Sequence, residues 1–120
     1  MEWERIRSYA LGFPEVAERP HFGRPAFRVR DRLFLSAHLD EEPSVIAHVS
    51  PQDAAAAVAE HPERCEEVWR THGGRQIFVG LRVRLFGPGG PAGSDLLTDV
   101  IERAWVHRAP KRLAAQRAVD

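Results

Sequence analysis

Residues 26–49 read as three short strands joined by turns of only two and four residues. Residues 26–30 alternate apolar and basic side chains, 33–39 form a second run and 44–49 a third, with Asp31-Arg32 and residues 40–43 as the turns. Parallel neighbours need a crossover of about a dozen residues or more, so turns this short admit only antiparallel pairing. The rest of the chain must then cover one face of an antiparallel sheet.

Three helices are expected to do so. Trp3, Ile6, Ala10 and Phe13 recur at helical spacing and predict a helix over 2–11, stopped by Gly12 and Pro14. Residues 12–25, with Pro14, Pro20, Gly23 and Pro25, read as a turn-rich connection. Ser50-Pro51-Gln52-Asp53 is a strong helix start, because serine caps, proline suits the first helical position and an acid suits the positive end of the dipole. That helix runs to about residue 60, where His61-Pro62 ends it. Residues 63–74 admit two readings, a short helix opening at Glu63 or a strand over 67–71. Residues 76–86 are the clearest strand, with Leu81, Val83 and Leu85 on one side and Arg82 and Arg84 on the other. The glycine-proline run 87–93 reads as an irregular loop. Ser94 or Asp95 opens a last helix to about residue 107, whose buried stripe is Leu97, Val100, Ile101, Ala104 and Trp105. The order α-βββ-α-ββ-α gives an α+β two-layer sandwich, one antiparallel sheet of about five strands with three helices. The expected domain spans 1–113, with 114–120 as a basic, flexible tail.

The residue inventory argues against an enzyme. One cysteine excludes a disulfide framework or a multi-cysteine zinc site and suits a reducing cytoplasm. That cysteine, Cys65, sits among Glu63, Glu66 and Glu67, and nearby negative charge disfavours a thiolate. His38 and His48 lie on successive strands, but a turn centred near Glu41-Glu42 pairs His38 with Val45 or Ile46 and leaves the two histidines offset. No phosphate-cradling or nucleophile-elbow motif occurs. His21, beside Phe22, is the histidine that stands out. The expectation is a non-enzymatic protein with no cofactor and no metal. The opening Met1-Glu2-Trp3-Glu4-Arg5 does not read as a signal peptide. The apolar stretches fall far short of the roughly 20 residues that cross a bilayer. A cytoplasmic protein with no membrane partner is expected.

Seventeen basic and seventeen acidic side chains cancel, but not locally. Residues 19–30 carry +4, residues 40–67 carry −7, residues 68–93 carry +4 and residues 103–119 carry +5. Arg28 and Arg30 share one side of the first meander strand, and Arg82 and Arg84 one side of the last strand. If those strands lie close together, four guanidiniums converge, and each phosphate they neutralise adds salt-dependent affinity. The bland alternative is an exposed face laced with ion pairs to the acidic block, each worth about 0–1 kcal/mol.

Two segments carry a resemblance. His21-Phe22-Gly23-Arg24-Pro25-Ala26-Phe27-Arg28-Val29, following Leu11-Gly12-Phe13-Pro14-Glu15-Val16, and the C-terminal Ala109-Pro110-Lys111-Arg112-Leu113 resemble the MmcQ/YjbR family of small bacterial proteins. The likeness covers essentially the whole chain. Family members typically open the last strand on an aromatic residue, where this chain has Gly74-Arg75-Gln76-Ile77. The resemblance implies the two-layer α+β fold and makes residues 66–72 a strand. It also implies a DNA-binding protein with a double-wing arrangement. On that reading DNA is met weakly, with little sequence specificity, by Arg24, Arg28, Arg30, Arg82 and Arg84, with Lys111 and Arg112 contributing from the tail. The alternative is a protein-interaction module, chaperone-like or homodimeric, because the topology is similar to that of type III secretion chaperones.

Overall fold

The computed structural model describes residues 1–119. The elements run α1 (Trp3–Leu11), β1 (Val16–Glu18), β2 (Ala26–Val29), β3 (Arg32–His38), β4 (Ser44–Ala47), α2 (Pro51–Glu60), β5 (Cys65–His72), β6 (Arg75–Arg84), β7 (Phe86–Gly87), β8 (Gly90–Pro91), α3 (Ser94–Arg108) and α4 (Lys111–Val119). Six strands make one antiparallel sheet in the order β1-β2-β3-β4-β6-β5.

Period-two alternation sorts the sheet into two faces. One row of directly paired residues, Phe27, Leu35, Ala47 and Leu81, runs across the buried face, and Ala37, Val45, Val83 and Cys65 make the next. Ile6 and Ala10 from α1, Ala54 from α2, Leu97, Ile101 and Trp105 from α3 and Leu113 from α4 close over them in one cluster. All four helices therefore pack on the same face. The opposite row, Ala26, Ser36, Ile46, Arg82 and Glu66, lies on the face that no helix covers. The Trp105 indole N–H donates to the Pro14 carbonyl at 3.2 Å, tying α3 to the loop that leaves α1. Ser50 caps α2 as its residue type predicts, its hydroxyl accepting from the Asp53 N–H at 3.1 Å.

The two-layer α+β sandwich is the expected one, with more elements than the sequence suggests. Residues 16–18, expected in a loop, form a short edge strand; Glu15 at φ 57° bends the chain into it. The ambiguous segment is a strand, β5, as the family resemblance implies. The first hairpin turns one residue earlier than expected: Arg30 and Asp31 both adopt positive φ (45° and 66°), the arrangement of a type I′ turn. Arg30 thus leaves the strand and no longer shares a side with Arg28. A bulge opposite Phe27 and Arg28 leaves Phe34 unpaired, so Phe34 and Leu35 are both buried. His38 pairs with Ser44, one residue short of the expected partner, and stays offset from His48. The run 87–93 is not irregular throughout, because β7 and β8 pair as a tight hairpin. A fourth helix, not expected, spans Lys111–Val119 and takes in residues 114–119 of the expected tail.

Gly80 has a steric reason to be glycine. A Cβ there would stand 2.5 Å from the Ala47 carbonyl oxygen, where β6 crosses the end of β4.

Candidate functional site

Two tight turns rise beside the uncovered face of the sheet. On one side, His21 and Arg24 exchange backbone hydrogen bonds of 2.9 and 3.1 Å across Phe22 (φ 51°) and Gly23 (φ 75°). On the other side, Gly73 (φ 58°) and Gly74 (φ 78°) close the β5–β6 hairpin. The last β4–β6 pair is Ala47 with Leu81, so β6 before Leu81 is paired only with β5 and the two strands form a free arm.

A cleft of about 450 Å³ lies between the His21–Arg24 turn and this arm. Leu33 and Ser36 of β3, Ile46 of β4, and Ile77, Phe78 and Val79 of β6 line its floor; His21, Phe22, Arg24, His38, His48, Arg70 and Arg108 complete it. Among the described residues no carboxylate lines it. Arg24, Arg70 and Arg108 have no carboxylate partner within ion-pair distance among the described residues. Arg108, the last residue of α3, is held in place by donating from Nε to the Leu33 carbonyl at 3.0 Å. Phe22 is 89% exposed, and its ring meets the His21 ring edge-on with centroids 4.5 Å apart.

Burial and the surrounding cations act on the cleft histidines in one direction. Burial, then Arg108, His21 and His107, push His48 down to about 4, against only the Val79 backbone hydrogen bond. His38 is lowered by burial and then by Arg24 and Arg82, against Asp40. Arg28 places Nη2 3.3 Å from His21 Nδ1. A guanidinium only donates, so Nδ1 is the acceptor in that contact.

The residues singled out from sequence are dispersed. Arg24 is in the cleft and Arg28 stands behind its His21 wall. Arg30, in the turn, makes a two-pronged ion pair with Glu15 at 2.7 and 2.9 Å. Arg82 is on the uncovered face but is held by Glu66 at 3.1 Å and by the Ser44 hydroxyl at 3.1 Å. Arg84 is exposed, opposite Ser44 on the uncovered face. Lys111 and Arg112 open α4, exposed and outside the cleft lining. β2 and β6 are separated by β3 and β4, roughly 15 Å at normal strand spacing. The four strand guanidiniums therefore do not converge. Arg70 and Arg108 take that place, and sequence reasoning missed both. Arg70 lay in the ambiguous segment, and nothing marks the end of α3 as reaching the sheet. Phe22-Gly23, an aromatic in a two-residue turn, was the available signal.

Other ion pairs lie away from the cleft. Asp53 and Asp99 hold Arg103 between α2 and α3 at 3.1 and 3.0 Å, and Glu102 holds Arg117 at 2.8 Å. Burial, then Glu63, pushes the Cys65 thiol up to about 11, so it is no thiolate at neutral pH. No three His, Cys, Asp or Glu side chains among the described residues are grouped to hold a metal. No described helix is long and apolar enough to cross a membrane.

A family model described as YjbR matches residues 11–107. No curated protein and no solved structure gives a significant match. The matched span begins at the end of α1 and stops within the last turn of α3, so it takes in all six strands and both turns.

Proposed function

The chain belongs to the YjbR family, and from that premise we propose that it is a non-enzymatic, cytoplasmic DNA-binding protein. The YjbR resemblance implies DNA as the partner, and the charge of the cleft supports that reading. The observation that carries the reading is a wall of Arg24, Arg70, Arg108 and three histidines with no carboxylate among them. Such a surface attracts a polyanion and repels a cation. The two turns serve as the wings. Contact is to phosphates, so affinity is modest, salt-dependent and weakly sequence-specific.

Fluorescence anisotropy with a labelled oligonucleotide at low salt tests this. Arg24→Gln and Arg70→Gln are each expected to weaken binding and to lower the salt slope by about one unit. Arg30→Gln, whose guanidinium is occupied by Glu15, is expected to change neither. A Kd weaker than about 100 μM at low salt, beyond ordinary nonspecific affinity, sinks the proposal.

One observation favours a second reading, a homodimeric interaction module. β5 is an eight-residue edge strand bearing Glu66 and Glu67 near one end and Arg70 near the other. Antiparallel pairing with a second copy brings opposite charges together. Light scattering that finds only monomer at low and high salt removes this reading.

A further inference from the structure

Phosphate contact leaves one property of the cleft unused: its floor is apolar. Leu33, Ile46, Ile77, Phe78 and Val79 lie between the cationic groups, and Phe22 stands at the edge with its ring in solvent. The Phe22 backbone is in the left-handed region, where glycine or asparagine is the ordinary occupant of a two-residue turn. An aromatic ring held there, contributing almost nothing to the core, is displayed toward something outside the fold.

Duplex DNA offers such a floor little. Its bases are stacked inside, and its outer surface is phosphate, sugar and groove edges. A single strand splays its bases away from the backbone, and those bases stack on aromatic side chains while a cationic groove follows the phosphates. A cleft of about 450 Å³ is in the size range of small-molecule sites. We propose that the cleft seats one base of single-stranded DNA, with Phe22 stacking at its edge and Arg24, Arg70 and Arg108 on the flanking phosphates. Ser36 and His48 are the polar side chains placed to meet the edge of the base. This rests on the DNA reading above and adds the strandedness of the partner.

Three labelled probes of equal length separate the two claims: a single strand, its duplex, and a single strand with abasic sites throughout. The single strand is expected to bind about tenfold more tightly than either of the others. Phe22→Asn keeps the left-handed turn and removes the ring. It is expected to erase most of that preference while leaving affinity for the abasic strand unchanged. Duplex binding as tight as single-strand binding, or abasic binding equal to that of the intact strand, overturns the inference and leaves phosphate contact standing. Binding to none of the three overturns both. A Phe22→Asn protein that binds the intact strand as wild type does also overturns the base-stacking role.

Discussion

Single residues set the terms for both stability and binding. His48 is neutral in the folded protein, since its pKa falls from 6.5 to about 4 while the unfolded chain keeps the ordinary value. A base with a depressed folded pKa contributes stability that is complete above pH 6.5 and is lost as pH falls toward 4. The separation is worth roughly 3 kcal/mol at most. His48→Gln is expected to flatten urea-unfolding stability across that window, and identical pH slopes for the two proteins refute it. His38 and His107, also lowered by burial, steepen the same trend. Gly80→Ala is expected to cost about 1–3 kcal/mol, because the new methyl meets backbone rather than a movable side chain. A thermal melt unchanged from wild type argues against that close approach. At this scale the sequence was half legible. The residues on the outward side of the last strand, Arg82 and Arg84, are readable from alternation alone. That Glu66 lies directly across from Arg82 depends on strand pairing, which no local pattern encodes.

Elements were legible in proportion to their length and to the strength of their boundaries. α2 begins where its cap predicts, and β6 follows its alternation. β1 is three residues long, too short for any period, and exists because β2 offers it a free edge. The β2–β3 turn was misplaced by one residue because Arg30 and Asp31, not glycine, take positive φ there. That shift moved Arg30 from the strand into its pairing with Glu15. α4 was missed because its alanine-rich sequence carries a weak apolar stripe. Among the described side chains of α4, Leu113 is the deeply buried one, while the Arg117 guanidinium sits 4.6 Å from the Phe13 ring centre. Leu113→Ala is expected to lower stability by about 2 kcal/mol or more. Arg117→Ala is expected to lower it by less, about 0.5–1 kcal/mol. Chemical denaturation of both variants checks the order, and a Leu113→Ala protein as stable as wild type means that α4 is not docked.

Across the whole molecule, neutrality comes from division rather than mixing. The paired acids tie helices together or hold arginines off the cleft, and among the described residues no carboxylate lines the cleft. A polyanion bound there favours the protonated form of His38 and His48, so binding takes up protons and tightens as pH falls from 7 toward 5.5. Calorimetry in two buffers of different ionisation enthalpy measures that uptake, and equal apparent enthalpies in the two buffers exclude it. Acid therefore favours the complex and disfavours the fold over the same range. The sheet order adds a consequence of its own. Residues 16–47 form one meander and residues 65–84 one long hairpin, and the β4–β6 seam that joins them is four residue pairs long. Arg24, Leu33 and His38 belong to the first of these units, and Arg70 and Ile77 to the other. A strand lying in the cleft acts as a clasp across the two, and every fraction of its binding energy that spans the seam slows the amide exchange that depends on opening it.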